Sequence, residues 1–127
     1  MNLLRIRHVI RGLSNSSGTT HIVGPLAEAQ ASLGHEVSLW FVEKDSAPIV
    51  PETSTVQVRE FPVTAFKGNP GFSLAFTRAV LRSIRSFDVV HVHAVWNFPS
   101  AAAMAACLRA GVPYMVAPQG SLEPWAL

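Results

Sequence analysis

Short runs of apolar residues alternate along this chain with segments in which apolar residues recur every three or four positions. The runs are rich in the β-branched and aromatic residues that favour strands, and they cover 3–10, 35–42, 55–61, 88–94 and 112–117. The other segments have the period of an amphipathic α-helix, and they cover 22–33, 72–87 and 99–110. Strands that alternate with helices predict an α/β fold with a doubly wound, mostly parallel, Rossmann-like sheet.

Glycines and prolines mark the ends of the predicted helices. Gly34 and Gly111 follow the first and third helical segments, where glycine is typical of a helix C-terminus. Pro99 fits the first turn of the third helix. Pro25 lies within the first helical pattern, where it either belongs to the first turn or kinks the helix. The pattern leaves open whether the strand at 55–61 runs parallel to its neighbour or forms a hairpin with it.

The composition fits one folded domain and excludes several classes of protein. The chain has 127 residues, of which 49% are hydrophobic, so it is too apolar to be disordered. Cys107 is the only cysteine, which excludes a disulfide scaffold. A net charge of +2 gives no reason to expect a nucleic-acid partner. No signal peptide or membrane span is visible, so the expected location is the cytoplasm, with the inner face of the cell membrane as a further option.

Ligands of such sheets bind beyond the carboxyl ends of the strands, at the point where the strand order reverses. In the usual order, that point lies between the first and fourth strands. The first strand is followed by a small polar loop with Ser17, Gly18 and Thr19. Glycine lets the backbone approach a ligand, and the helix that follows offers free N–H groups. The same loop also fits an ordinary connection between a strand and a helix.

Two further sets of candidate binding residues follow the fourth and fifth strands. His93 and Trp96 come at the end of the fourth strand, where Trp96 either stacks on a sugar ring or caps the core. Gln119 and Gly120 follow the fifth strand. The Gln119 amide suits sugar hydroxyls, and it also fits a plain turn.

Neither a metal site nor a cofactor is predicted. His91 and His93 share one face of the predicted strand, because side chains two residues apart on a strand point the same way. A metal site would need a third ligand, and none is evident, so these histidines are predicted to be structural or part of a hydrogen-bond network. Cys107 lies among alanines and is predicted to be buried and inert.

The second helical segment carries a stripe of arginines, Arg78, Arg82 and Arg85, opposite its apolar residues. Such a stripe is typical of a solvated helix face. The alternative is peripheral contact with an anionic membrane surface.

Several catalytic arrangements are absent from the sequence, and no catalytic residue is assigned. Paired carboxylates that could flank a glycosidic bond are missing, as is the G-x-S-x-G motif of a nucleophilic serine. The G-x-G-x-x-G motif is missing too, which disfavours a dinucleotide-dependent enzyme. Val42 stands where such an enzyme has an acidic residue, although Glu43 comes next.

Four segments of the sequence occur in an order typical of one enzyme family. The loop at 17–19 precedes LAEAQASLGHEV at 26–37, DVVHVHAVW at 88–96, and AGVPY with PQGSLEPWAL at 110–114 and 118–127. They resemble the glycine loop and the segments LAEALARRGHEV, DVVHVHGLW and AGVPYVVSPHGMLDPWAL of the family 4 retaining glycosyltransferases, which have the GT-B fold. The resemblance covers nearly the whole chain.

Two positions depart from the family pattern. Ser17 stands where the family usually has the first of two glycines, and Gln119 stands where it often has a histidine that can contact the transferred sugar. Gln119 can still contact the transferred sugar directly, but its amide cannot take part in proton-linked chemistry as a histidine can. The resemblance implies a substrate cleft lined by Ser17, Gly18, Thr19, His93, Trp96, Gln119 and Gly120.

The resemblance also implies an enzyme of two domains. The N-terminal domain would bind a glycan or lipid-linked acceptor, and the C-terminal domain would bind a nucleotide-sugar donor. Residues 1–127 correspond to the acceptor side, as an incomplete N-terminal half of a GT-B fold without the donor-binding domain. We therefore expect a truncated, inactive part of a glycosyltransferase of polysaccharide biosynthesis. The alternative is a stand-alone, non-enzymatic α/β module that binds a glycan or a protein partner.

The predicted fifth strand supports the expectation of a truncated domain. It has an apolar, unpaired edge with Val112, Tyr114 and Val116. Natural proteins rarely leave such an edge bare. The isolated chain is therefore expected to aggregate or to bind a hydrophobic dye.

Overall fold

The computed structural model of the chain describes residues 2–13, 18–44, 50–51, 53–64, 71–118 and 124. The strands within them are β1 Arg5–Val9, β2 Gly12–Leu13, β3 Glu36–Phe41, β4 Glu43–Lys44, β5 Gln57–Glu60, β6 Val89–His93 and β7 Tyr114–Ala117. The helices are α1 Gly18–Ser32, α2 Leu74–Ser83 and α3 Phe98–Ala110, and α2 continues into a 3-10 turn at Ile84–Ser86.

Five of these strands form a parallel sheet in the order β5-β3-β1-β6-β7. The order reverses between β1 and β6, as the sequence predicts. β5 is parallel to β3, which settles the direction of the strand predicted at 55–61. Beyond the carboxyl ends of β1 and β3, the short strands β2 and β4 pair in a separate parallel ladder. The predicted α/β fold with a parallel sheet is confirmed.

Helices cover both faces of the sheet, so the fold is doubly wound. α1 packs on one face over a core that includes Val23, Ala27, Val37, Leu39 and Phe41. α2 and α3 pack on the other face over a core that includes Phe76, Val80, Ile84, Ala103 and Cys107. Each large apolar side chain buried in this way stabilises the fold by about 1.5–3 kcal/mol.

Ser73, Pro99 and Gly111 lie at helix ends, and the sequence predicts the places of Pro99 and Gly111. Ser73 Oγ accepts a hydrogen bond from the backbone N–H of Phe76 at 3.1 Å, which caps α2. Gly111 ends α3 with φ 71°, a left-handed conformation that favours glycine. Pro99 lies in the first turn of α3. No helix in the described part of the chain is long and apolar enough to cross a membrane.

The start of α1 differs from the prediction. The helix begins at Gly18, four residues before the apolar period that starts at Ile22. The first turn contains no apolar residues, so hydrophobic spacing cannot reveal it. Pro25 therefore lies inside the helix rather than in its first turn. Its side chain is exposed, and its missing N–H removes one hydrogen bond of the helix.

Candidate functional site

The candidate site is the carboxyl edge of the sheet between β1 and β6. Strand order reverses there, and such an edge forms the usual ligand crevice of an open α/β sheet. α1 and α3 both begin just beyond this edge. The first N–H groups of α1 lack partners within the helix, so they can donate to ligand oxygens. In α3, Pro99 has no N–H, and the N–H groups of Ser100 and Ala101 donate to Asn97.

The chain turns sharply where it leaves β6. Ala94 has φ 66°, which is unusual for a residue with a side chain. Its backbone N–H donates to the carbonyl of Ala117 at 2.8 Å, so the ends of β6 and β7 are joined. Asn97 Oδ1 then accepts from the backbone N–H of Ser100 at 2.9 Å and starts α3. Trp96 lies in this short connection between β6 and α3.

The structure places the predicted site residues in three different situations. Ser17, Gln119 and Gly120 lie outside the described residues. Gly18 and Thr19, which were predicted in the loop before the helix, form the start of α1. Trp96 is 61% exposed, so it does not cap the core, whereas the ring of His93 is completely buried. Of the two predicted side chains described at the end of β6, Trp96 is thus the one open to a ligand.

His93 belongs to a cluster of three histidines that the sequence did not reveal, in which His8 and His93 are buried and His91 is half-buried. His8 of β1 lies opposite His91 of β6 in the register of the sheet, so it supplies the third imidazole. The rings of His91 and His93 are stacked with centroids 4.1 Å apart. Candidate ligand atoms of all three residues lie within 4.8 Å of one another. His8 is therefore the third candidate ligand that was not evident in the sequence.

Hydrogen bonds fix the protons in this cluster. His8 Nε2 lies 2.6 Å from Gln30 Oε1, and an amide oxygen only accepts, so His8 Nε2 carries a proton. Since His8 is neutral, its Nδ1 accepts from His93 Nε2, which lies 2.9 Å away. Burial lowers the pKa of His8, and burial together with His91 and His8 lowers the pKa of His93, which keeps both rings neutral. The chain of bonds links α1, β1 and β6.

The histidine cluster also has the chemistry of a metal site, because neutral imidazoles are common metal ligands. In the described hydrogen-bond chain, however, both nitrogens of His8 and Nε2 of His93 are engaged. A cation would have to replace the proton between His8 and His93. The arrangement therefore favours the hydrogen-bond network that the sequence predicts for this strand face.

Arg11 is a cation at the carboxyl edge that the sequence analysis did not single out. Its side chain lies against Gly71 and the first turn of α3, because a Cβ built on Gly71 would come within 3.0 Å of Arg11 Cγ and 3.3 Å of Pro99 Cδ. Gly71 has φ 85°, so a glycine is favoured at this close approach. The sequence feature that could have identified Arg11 as a candidate site residue is its position shortly after a buried strand.

Cys107 is not part of the site. It is fully buried in the core beneath α3. Burial raises the pKa of its thiol, which disfavours the reactive thiolate. The structure thus agrees with the prediction of an inert cysteine.

Residues 17–127 match the family model described as "Glycosyl transferase 4-like domain". No curated protein matches the sequence. The match begins at the residue before α1 and includes β6 and α3. It therefore contains the elements that surround the candidate site, apart from β1.

Three solved structures are similar to this chain. A glycosyltransferase from Rickettsia africae has a TM-score of 0.64 at 18% identity, over 91% of this chain and 30% of that one. MurG from Acinetobacter baumannii has a TM-score of 0.56 at 12% identity, over 88% and 34%. The C-terminal domain of a hydrogenase from Pyrococcus furiosus has a TM-score of 0.56 at 18% identity, over 91% and 93%. At these identities the likeness shows the fold, and the chain spans about a third of the first and second of these structures.

Proposed function

The chain belongs to the glycosyl transferase 4-like domain family, and from this premise we propose that it is the acceptor-binding half of a retaining glycosyltransferase. The whole enzyme moves a sugar from a nucleotide-sugar donor to a hydroxyl group of a glycan or lipid-linked acceptor. The observation that carries the proposal is the family match, because it includes α1, β6 and α3 at the candidate edge.

The described side chains at this edge suit a sugar. The exposed aromatic face of Trp96 can stack on the apolar face of a sugar ring. The start of α1 and the guanidinium of Arg11 supply N–H donors for hydroxyl oxygens. We assign no catalytic residue among them, since they bind and orient an acceptor but do not activate a donor.

Saturation-transfer NMR on the chain tests the proposal with a panel of oligosaccharides and with nucleotide sugars. At least one oligosaccharide is expected to receive saturation from the protein, whereas nucleotide sugars receive none. Trp96→Ala is expected to abolish the glycan signal. Leu108→Ala truncates an exposed apolar side chain on α3, away from Trp96 in the sequence, and is expected to retain the glycan signal.

Two results would count against an acceptor-binding half. One is saturation of nucleotide sugars without any glycan, which would indicate a donor site. The other is a glycan signal that Trp96→Ala leaves unchanged, which would place glycan binding away from the proposed edge.

A further inference from the structure

A buried cation lies on the face of the sheet that α2 covers. Arg7 of β1 is only 5% exposed. Its Cζ lies 3.2 Å from the ring centroid of Trp40 and 3.7 Å from that of Phe87. Its Nε donates to Ser38 Oγ at 3.1 Å, and its Nη1 donates to Ser83 Oγ at 2.7 Å. These partners are neutral, so they solvate the positive charge without cancelling it.

Three more arginines surround the same region. Arg59 of β5 is the register partner of Trp40, and its Cζ lies 5.3 Å from the centroid of that ring. Arg78 and Arg82 are four residues apart on α2, so they lie on one side of the helix. Trp40, Arg59, Arg78 and Arg82 line a groove of about 460 Å³ between α2 and β5, and Ser83, which holds Arg7, lines it as well.

The positive charges in this groove are not balanced by the described acidic residues. The ion pair found among the described residues, Arg5 with Glu36, involves none of the four arginines. Glu60 follows Arg59 directly, but consecutive strand residues point to opposite faces of a sheet, so its carboxylate faces away from the groove. Burial, and next Arg59, lower the pKa of Arg7 to about 9. Arg7 is the buried member of this group, whereas Arg59, Arg78 and Arg82 are exposed. An anion bound among these like charges would stabilise the folded state.

We propose that the groove between α2 and β5 binds a phosphate ester through Arg59, Arg78 and Arg82. The planar guanidinium group matches two oxygens of a phosphate at once. Arg7, behind Trp40, adds a fixed positive potential that solvent screens poorly. The groove lies on the flank of the sheet and not at the edge between β1 and β6, so this inference does not depend on the acceptor site. The phosphate or diphosphate group belongs to a soluble ester or to a lipid headgroup.

Isothermal titration calorimetry of the full chain with inorganic pyrophosphate tests the site, at an ionic strength of about 0.15 M, where charges are screened over about 8 Å. Saturable binding is expected, and the double variant Arg78→Gln/Arg82→Gln is expected to weaken it about 10-fold, which equals ~1.4 kcal/mol. Arg85→Gln/Arg109→Gln is the matched control, because it removes the same charge from the adjacent groove, which shares Arg82 and no other lining residue with the proposed site. The control is expected to change the affinity for pyrophosphate less than about 2-fold, because salt screens the attraction between the bound anion and arginines outside the groove.

All four substituted side chains are exposed, so the variants are expected to fold, and circular dichroism checks this. Absence of pyrophosphate binding by the wild type would overturn the proposal. Equal weakening in both double variants would also overturn it, because binding would then follow net charge rather than the groove.

Sedimentation with vesicles identifies the carrier of the phosphate. Phosphatidylcholine vesicles with phosphatidylglycerol are compared with phosphatidylcholine vesicles alone. The groove would be assigned to lipid headgroups if the chain cosediments with the anionic vesicles, and if both pyrophosphate and the Arg78→Gln/Arg82→Gln substitutions reduce this cosedimentation. Pyrophosphate binding without cosedimentation would assign it to a soluble phosphate ester.

Discussion

Ala94 is held in a conformation that its side chain disfavours. Its φ of 66° lies in the left-handed region, which costs a residue with a Cβ about 1 kcal/mol. The family segment DVVHVHGLW has glycine at the corresponding position. The chain thus keeps the sharp turn after β6 without the residue that best suits it, and the strain lies directly beside the candidate site.

Ala94→Gly is expected to raise the free energy of unfolding by about 0.5 kcal/mol, because relief of strain exceeds the added entropy of the unfolded chain. Urea denaturation measures the change. Ala101→Gly, at an exposed position of α3, is the matched control and is expected to lower the free energy of unfolding by about 1 kcal/mol. Equal destabilisation by both variants would show that Ala94 is not strained.

At the scale of single residues, sequence analysis succeeds where the cause is local. Pro99 and Gly111 act through their own backbone preferences, so their places at the two ends of α3 could be predicted. Arg7 and His8 act through partners on other strands and helices. The surroundings of Arg7 depend on the register of β1 with β3, and those of His8 on the register of β1 with β6. The sequence of β1 contains neither register.

At the scale of elements, the histidine network joins β1, β6 and α1. The pKa is lowered to about 4 for His8 and to about 3 for His93, against about 6.5 in the unfolded chain. At pH values between the lowered pKa values and about 6.5, the unfolded state binds more protons than the folded state. The free energy of unfolding therefore decreases as the pH falls below about 6.5 and continues to decrease towards pH 4.

Urea denaturation at a series of pH values tests this linkage. Between pH 6 and 5 the free energy of unfolding is expected to fall by about 1.4 to 2.7 kcal/mol per pH unit, for one to two protons. A free energy of unfolding that stays constant from pH 7 to pH 5 would contradict a neutral, buried network.

At the scale of the whole molecule, the order of strands and helices could be predicted from hydrophobic spacing alone. The candidate edge followed from this order, because β1 and β6 meet where the strand order reverses. The first turn of α1 and the strands β2 and β4 could not be predicted, since each is too short or too polar to show a period. The groove between α2 and β5 was missed for another reason, because it combines residues from three separate elements.

β7 lies at one edge of the described sheet and exposes apolar side chains. Met115 is 55% exposed and Val116 is 37% exposed. The chain is therefore expected to increase the fluorescence of a hydrophobic dye and to self-associate, as open strand edges do. Met115→Lys should reduce both effects and change the free energy of unfolding by less than about 1 kcal/mol. A monomer that melts cooperatively and binds no dye would contradict this expectation.

The measurement that tests the central claim most directly is amide chemical-shift mapping by NMR during titration with a glycan. The account predicts shifts of the amides of Gly18, Trp96 and Ser100, which surround the edge between β1 and β6, and none at Arg78 or Arg82. Shifts confined to the groove between α2 and β5, or no shifts with any glycan, would contradict the assignment of this edge as an acceptor site.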